Sequence, residues 1–316
     1  MILRIVLAWA LWVGTLGVST GTTQEVPETA AEHVEGVAAG AEAHDTETID
    51  IMHHVLDAHE LETPFGIYHL PPAGSWMLGP LDITPTKYVV FIWLVSILML
   101  AIFIPAGLAA RRSQTAGESP RGGHNAVEAM VLFFRDTVVM PNVGHGGDRF
   151  VPFVVTLFFF ILLGNILGLL PYGAAATANI SVTAALAVLA FITIEAAGMK
   201  TLGPAGYMRT ILYWNKELPL FMRIPMAIIL SPVELLGKLA KPFALAVRLM
   251  ANMTAGKIVL FAIIGLIFLF GSYWIALLPL FMVIALTFLK IFVAFLQAYV
   301  FALLTSVYIG LIRHAH

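Results

Sequence analysis

Two apolar stretches in the second half of the sequence constrain the fold of this chain more than any other feature. They cover residues 224–270 and 273–312, and no polar loop divides either of them. A helix that crosses a bilayer perpendicularly needs about 20 apolar residues, so each stretch is long enough for about two spans. Because neither contains a polar turn, we interpret them as two long, strongly tilted membrane helices.

The composition indicates a membrane protein rather than a soluble one. The chain has 316 residues, of which 59% are hydrophobic and 11% are charged, whereas about 25% of residues in soluble domains are charged. The formal net charge of −2 gives no indication of a nucleic-acid partner. The absence of cysteine excludes disulfides and cysteine-ligated metals, but it does not fix a compartment.

Four further segments complete the predicted architecture. The apolar runs at 88–110, 150–171 and 179–199 each have the length of one span. Residues 124–142 mix apolar and charged side chains, which favours a helix that lies in the cytoplasmic membrane interface. The sequence therefore predicts an all-α polytopic membrane protein with about five membrane helices, two of them long and tilted, plus one interfacial amphipathic helix.

The distribution of basic residues predicts the orientation. Lysine and arginine occur in the segments 111–123 and 200–223, whereas the turn at 171–178 has none. Basic loops remain in the cytoplasm by the positive-inside rule. We therefore expect both basic segments and the C-terminal residue His316 in the cytoplasm, and the N-terminus outside.

The N-terminal quarter divides into two predicted parts before the membrane domain at 81–316. Residues 1–21 combine Arg4, a short apolar run and small polar residues, which is typical of a signal peptide, with an uncleaved short anchor as the alternative. Residues 22–80 form an acidic, histidine-rich outer extension. Its histidine spacings match no metal-ligand motif, so we interpret it as solvated, with residues 49–64 able to form a short helix.

A single arginine stands inside the first of the two long apolar stretches. Burying an arginine at the bilayer centre costs about 2.5 to 17 kcal/mol, so Arg248 is expected to have a function or a partner. Asn252 lies four residues further on the same side. Small residues continue along this side and let another helix approach closely; they are Ala240, Ala244, Ala251 and Ala255. The pattern favours a partner helix that carries a carboxylate, and an interfacial arginine that reaches the headgroups is the alternative.

Several sequence motifs around Arg248 form a specific combination. They are PVELLGKLAKP at 232–242, ALAVRLMANMTAG at 244–256 and FVAFLQAYVFALLTSVY at 292–308. Two further motifs predict a helical hairpin; they are FFFILLGNILGLLP at 158–171 and ATANISVTAALA at 176–187. Over roughly residues 80–312, this pattern resembles subunit a of the membrane sector of F-type ATP synthases.

The resemblance implies an ion-translocating stator, most simply for protons, that offers two offset half-channels to a rotor c-ring. In that interpretation Arg248 is the fixed charge that couples ion flow to rotation. Asn252 and Gln297 belong to the same path, with Gln297 hydrogen bonded to Arg248 from the neighbouring helix, and Glu234 marks the mouth of the cytoplasmic half-channel.

The resemblance also implies the surroundings of the chain. It places the protein in the bacterial inner membrane as a multi-pass subunit with a periplasmic N-terminus and a cytoplasmic C-terminus. The expected partners are the c-ring, the peripheral-stalk b subunits, the rest of the F1Fo complex and the lipid bilayer, with no nucleic acid. The chain has no P-loop motif, so we expect no catalytic site, cofactor or metal of its own.

The outer half-channel departs from the family pattern at two positions. Lys257 and Lys290 stand where many relatives carry glutamate or histidine, and Gly168 stands where an acidic residue can occur. Either burial lets the two lysines release their protons, or water and neutral polar groups carry the path. The candidate neutral groups are Asn165, Asn179, Ser181, Thr183 and Thr254.

Each acidic residue within the last four predicted spans has two interpretations, a role in the channel or an ion pair with a nearby lysine. Glu195 is a further candidate for the channel lining, or it is an interfacial residue that pairs with Lys200. Glu234 has Lys238 four residues later, at a spacing that permits an ion pair.

Two other function classes and one other ion were weighed. A secondary transporter would show paired repeats with interrupted helices, and no such repeat is visible. An intramembrane hydrolase would need a Gly-x-Ser-x-Gly, a His-Glu-x-x-His or paired membrane aspartates, and none occurs. Sodium stays open as the coupling ion because the outer path is unusual.

Overall fold

A computed structural model gives the fold of most of the chain. It describes residues 60–63, 66–72, 75, 77–78, 81–82, 84–116, 122–170, 173–211, 220–270 and 273–314. The predicted signal peptide and most of the acidic extension lie outside these residues. The predictions made for them therefore remain predictions.

Two small antiparallel hairpins precede the membrane helices. Strands β1 (Glu60–Thr63) and β2 (Gly66–His69) pair from Glu60 with His69 to Thr63 with Gly66, and β3 (Met77–Leu78) pairs with β4 (Leu81–Asp82). The prediction of a short helix up to residue 64 is therefore wrong for residues 60–63. The physical reason is Pro64, because a proline disfavours the α conformation of the residue before it.

Seven α-helices follow in the described part of the chain. They are α1 (Lys87–Ala116), α2 (Gly123–Phe133), α3 (Met140–Val143), α4 (Val151–Leu167), α5 (Ile180–Ile211), α6 (Leu220–Phe270) and α7 (Tyr273–Arg313). A π-helical segment joins α2 to α3, and short 3-10 turns precede α4 and α5; they are Phe134–Val139, Gly147–Arg149 and Ala176–Ala178. Four of the helices, α1, α5, α6 and α7, are long and apolar enough to cross a membrane. With the shorter apolar helix α4, they confirm the all-α polytopic fold class.

Helix α4 forms the centre of the packed core. It is apolar on all sides, as a helix surrounded by other helices should be. Phe158 packs against Phe134 with ring centroids 4.3 Å apart and meets Phe295 edge to face at 5.6 Å. The core therefore joins α4 to α7 and to the π-helical segment after α2.

Helices α6 and α7 confirm the two long predicted helices, and they leave much apolar surface uncovered. Large side chains that are mostly exposed include Leu236, Phe243, Leu278, Phe281 and Phe288. Continuous apolar surface of this kind marks contact with lipid or with another protein. The long helices thus offer one face to the core and the other to the surroundings of the chain.

The C-terminal end of α7 is fixed on the α2–α3 segment. The guanidinium of Arg313 donates to the carbonyl oxygens of Val143 at 3.1 Å and His145 at 2.8 Å. At Gly310 the helix passes so close that an added Cβ would lie 1.8 Å from the carbonyl oxygen of Asn142. This contact holds α7 in register against the rest of the core.

Helix α5 corrects one boundary. The segment 200–223 was expected to be a loop, but α5 continues to Ile211 after a break at Gly203, whose φ is 72° and ψ is 167°. Glycine tolerates a positive φ, and the following Pro204 suits the first turn of a new helix. The residues after the break therefore form a second helical piece with a different direction.

Candidate functional site

Arg248 lies in the middle of the apolar segment 224–267 and is exposed. Within the described part of the chain, it has no hydrogen bond or ion pair. Leu245 and Leu249, on the flank of α6 beside Arg248, are buried in the core. The small residues predicted to accompany Arg248 are exposed with it, as Ala240, Ala244, Ala251 and Ala255. Helix α6 therefore carries an unpaired cation on an open face with little side-chain bulk.

Two amides on α6 and α7 have unused donors. Gln297, on α7, is 6% exposed, and Asn252 is partly buried on α6. The side-chain nitrogens Nε2 of Gln297 and Nδ2 of Asn252 are buried without a hydrogen-bond partner in the described structure. A buried unpaired donor costs about 1–3 kcal/mol, and its partner has to be an acceptor. A guanidinium has only donors, so an expected bond would run from Arg248 to Oε1 of Gln297, and none joins the two side chains in the described structure.

A first cavity, of about 250 Å³, lies on the side of Arg248 towards the end of α6, and we call it the outer pocket. Lys257, Lys290 and Asn252 line it, and the other lining residues that the structure describes are apolar or glycine, with no carboxylate among them. The ammonium of Lys257 is 3.0 Å from the carbonyl oxygen of Gly173, to which it donates. The outer pocket is thus lined by donors and positive charge.

Two glycines shape the outer pocket. An added Cβ at Gly256 would lie 2.7 Å from Cε of Lys290, so this glycine lets the lysine side chain cross α6. At Gly168 an added Cβ would lie 2.2 Å from Cβ of Ala175. This packing excludes any side chain at Gly168, so the acidic residue that the family resemblance allows at this position has no room in this chain.

Most of the predicted neutral polar groups are engaged by nearby backbone. Asn179 caps α5, because its Oδ1 accepts a hydrogen bond from the backbone N–H of Ser181 at 2.8 Å. Thr183 bonds the carbonyl oxygens of Asn179 and Ile180, and Thr254 bonds that of Ala178 at 3.3 Å. These bonds hold the turn between α4 and α5 against α6.

Asn165 differs from the other neutral candidates. It is fully buried on α4, and its Oδ1 accepts a hydrogen bond from the hydroxyl of Thr177. Its Nδ2 is a buried donor without a partner in the described structure. Among the predicted neutral groups, Asn165 therefore carries a buried amide donor that no described group uses.

A second cavity, of about 140 Å³, lies on the other side of Arg248 between α5, α6 and α7, and we call it the inner pocket. It is lined by two carboxylates and two ammonium groups, together with a threonine, a tyrosine and apolar side chains. The polar lining residues are Glu195, Glu234, Lys238, Lys241, Thr210 and Tyr308. Glu195 is buried and Glu234 is exposed.

Neither ion pair suggested by the sequence forms among the described residues. Glu195 accepts a hydrogen bond from the hydroxyl of Tyr207 instead of pairing with Lys200. Five residues along a helix place Lys200 on a different side from Glu195. Lys238 donates to Oγ1 of Thr210 at 3.0 Å and lies 4.8 Å from the ring centroid of Tyr207, so it does not pair with Glu234.

Thr210, which lines the inner pocket, and Tyr207, the hydrogen-bond partner of Glu195, were both missed. They lie in the segment that was expected to be a loop, after the break in α5 at Gly203. The Gly-Pro pair at 203–204 was the available signal, because it marks a change of chain direction. No group of three or more potential metal ligands occurs in the described part of the chain.

Comparison with known proteins gives a consistent result. The family model for the ATP synthase A chain matches residues 89–310. The chain is 43% identical over 269 residues to ATP synthase subunit a of Chloroherpeton thalassium, which covers 85% of this chain and 78% of that protein. It is 40% identical over 311 residues to ATP synthase subunit a of Anaeromyxobacter dehalogenans, covering 93% of this chain and 78% of the relative. A third relative, ATP synthase subunit a 2 of Chlorobaculum tepidum, is 40% identical over 307 residues, with 93% and 83% covered.

Proposed function

Because the chain belongs to the ATP synthase A chain family, we propose that it conducts protons past the rotor of an ATP synthase through two offset half-channels. Membership makes it a multi-pass membrane subunit of the membrane sector, where it works as a stator with the other subunits of the complex. The proposal adds the ion, its path and the roles of individual residues.

The observation that carries this proposal is the exposed Arg248 on the small-residue face of α6, which has no partner among the described residues. A rotor helix can approach this face closely because alanines surround the charge. The guanidinium then stabilises an ionised rotor carboxylate, while the free donors of Asn252 and Gln297 supply hydrogen bonds to it. Arginine suits this role because it keeps its charge at any physiological pH.

The two pockets support offset half-channels. Glu234 stands fourteen residues before Arg248 and Lys257 nine residues after it, which is about 21 Å and about 13 Å along a helix. The inner pocket thus lies on one side of the arginine and the outer pocket on the other. Arg248 between them repels a cation that would pass directly. Ions therefore reach the opposite pocket only while bound to a rotor carboxylate as the rotor turns.

Protons fit the outer pocket better than sodium does. Sodium would need several oxygen ligands, whereas the polar lining side chains are Lys257, Lys290 and Asn252. A proton can cross through water and hydrogen-bonded groups, and the free amide of Asn165 on α4 is available to that path. Each proton contributes about 2.3 kcal/mol per 100 mV of membrane potential.

The remaining roles follow from the family and the charge pattern. The proposed direct partners are the c-ring against the face of Arg248 and the b subunits of the peripheral stalk. The chain itself has no catalytic site, so nucleotide chemistry belongs to the soluble subunits. We place it in a bacterial inner membrane, with residues 1–21 as a signal peptide, residues 22–80 in the periplasm and the C-terminus in the cytoplasm.

The ion is tested with the purified complex in sealed vesicles. We expect ATP-driven acidification of the vesicle interior in sodium-free buffer, and its collapse on addition of a protonophore. A sodium ionophore is the matched control and should leave the pH gradient in place. Pumping that requires sodium and that continues in the presence of the protonophore would contradict proton coupling.

A further inference from the structure

Glu195 is a buried carboxylate whose role the preceding mechanism leaves open. It lies on α5, is 8% exposed and lines the inner pocket. A carboxylate removed from water needs a hydrogen bond or an opposite charge to stay ionised. In the described structure its partner is the hydroxyl of Tyr207, which donates to Oε2, and no cation pairs with it.

The position of Tyr207 depends on the break in α5. The two residues are twelve apart, which would separate them by about 18 Å along a straight helix. The positive φ of Gly203 turns the chain, so that the second helical piece of α5 folds back towards the first. The contact between Tyr207 and Glu195 is therefore built by the fold and is not a neighbour effect of the helix.

Helix α6 holds Tyr207 from the other side. The ammonium of Lys238 lies 4.8 Å from the centroid of the tyrosine ring and 3.0 Å from Oγ1 of Thr210, to which it donates. Thr210 in turn donates to the carbonyl oxygen of Tyr207 at 2.8 Å. These contacts fix the direction of the tyrosine hydroxyl before it meets Glu195.

The second carboxylate of the inner pocket has the opposite environment. Glu234 is exposed and has no ion pair in the described part of the chain, whereas Glu195 is buried and hydrogen bonded. Glu234 lies at the open surface of α6, whereas Glu195 is enclosed by the packed helices. The pocket thus contains two proton acceptors at different depths.

We propose that Glu195 is an inner proton station between the rotor and Glu234, and that Tyr207 is the positioning residue that holds it in the inner pocket. During synthesis, a proton released from the rotor carboxylate passes through pocket water to Oε1 of Glu195, then to Glu234 and the cytoplasm. During hydrolysis it moves in the reverse direction, and each station ends the cycle ionised. The inference rests on the proposed function of the chain as an ion-conducting stator.

The test uses the intact complex in vesicles, with ATP-driven pumping as the readout and subunit composition as the check on assembly. Tyr207→Phe removes the hydroxyl and keeps the ring under Lys238. We expect it to slow pumping by about tenfold, as the loss of a hydrogen bond to a charged group would. Tyr299→Phe is the matched control, because Tyr299 packs beside Phe134 in the core and does not line the inner pocket; it should pump at the unaltered rate.

A double-mutant cycle shows whether Tyr207 acts by positioning Glu195 or only stabilises the fold. Glu195→Gln keeps an acceptor for the tyrosine hydroxyl but cannot take up a proton, so it should assemble and pump slowly. Adding Tyr207→Phe to Glu195→Gln should then change the rate by less than about twofold, because both changes act on one station. Multiplying effects would show that Tyr207 acts independently of Glu195 and would overturn its positioning role.

The same experiment distinguishes failure of this inference from failure of the proposed function. If Glu195→Gln assembles and pumps at the unaltered rate, Glu195 is not on the path, and the Tyr207 contact is a brace only. That result leaves the stator function intact as long as Arg248→Ala, made in parallel, stops pumping. If Arg248→Ala also pumps normally, the proposed function itself fails.

Discussion

Arg248 is exposed although it stands within a long apolar helix, and no group in the described part of the chain neutralises its charge. Placing an unpaired cation in such a helix has a high free-energy cost. The buried amide donors of Asn252 and Gln297 also lack a partner in the described structure. A carboxylate from outside the chain would neutralise Arg248, which is why we assign the rotor-facing role to this surface.

The sequence predicts some of these residues better than others. Arg248 is conspicuous because it interrupts an apolar run, and Asn252 follows from helical spacing. Tyr207 could not be paired with Glu195 from the sequence, because their contact depends on the direction of the chain after Gly203. The polar groups near the α4–α5 turn were treated alike, yet only the structure separates the capping role of Asn179 from the free donor of Asn165.

Glu234 carries the prediction that belongs to the residue scale. Glu234→Gln should lower ATP-driven pumping by less than about tenfold, a barrier increase below about 1.4 kcal/mol. The reason is that Glu234 is exposed, so water at the mouth of the inner pocket can replace part of its function. Complete loss of pumping in an assembled complex would instead make Glu234 an obligatory proton carrier.

Helices α6 and α7 were predicted from length and polarity, and their observed bounds, Leu220–Phe270 and Tyr273–Arg313, confirm that prediction. Helix α5 was predicted too short, because positive charges at 200–223 suggested a loop and the break at Gly203 hides a continuing helix. The hairpins at 60–82 were not predicted at all. Short strands with few apolar residues give a weak pattern, whereas a membrane helix gives a strong one.

Gly310 gives the prediction at the scale of the elements. Gly310→Ala should destabilise the packing of α7 on the α2–α3 segment, since the new Cβ would lie 1.8 Å from the carbonyl oxygen of Asn142. Overpacking of this kind typically costs about 1–3 kcal/mol. We expect a lower yield of assembled complex and a lower midpoint temperature for the thermal unfolding of the purified complex.

Gly265→Ala is the matched control for Gly310→Ala. It also adds one methyl group to a long membrane helix, but an added Cβ at Gly265 meets nothing within 4 Å. It should therefore leave assembly and the thermal transition unchanged. Equal behaviour of the two variants would show that the close contact of α7 with Asn142 does not limit stability.

At the scale of the whole molecule, the packed core and the open surface of α6 have different functions. Helix α4, the π-helical segment after α2 and one face of α7 form the core, and the small-residue face of α6 stays uncovered. The outer and inner pockets lie on opposite sides of Arg248 along α6. This arrangement suits a stator, since the core holds the pockets in place while the open face meets a moving partner.

The most direct test of this arrangement is ATP-driven proton pumping by the Arg248→Ala complex in vesicles, measured together with its passive proton leak. We expect the complex to assemble, because the buried residues Leu245 and Leu249, which pack α6 into the core, are unchanged. Pumping should fall by at least about 100-fold, as for other losses of a preorganised charge partner, and the leak should rise because the barrier between the pockets is gone. Arg248→Lys should be nearly as impaired, since a desolvated lysine can lose its proton. Pumping by Arg248→Ala at the unaltered rate would contradict the assignment of this surface as the rotor-facing ion barrier.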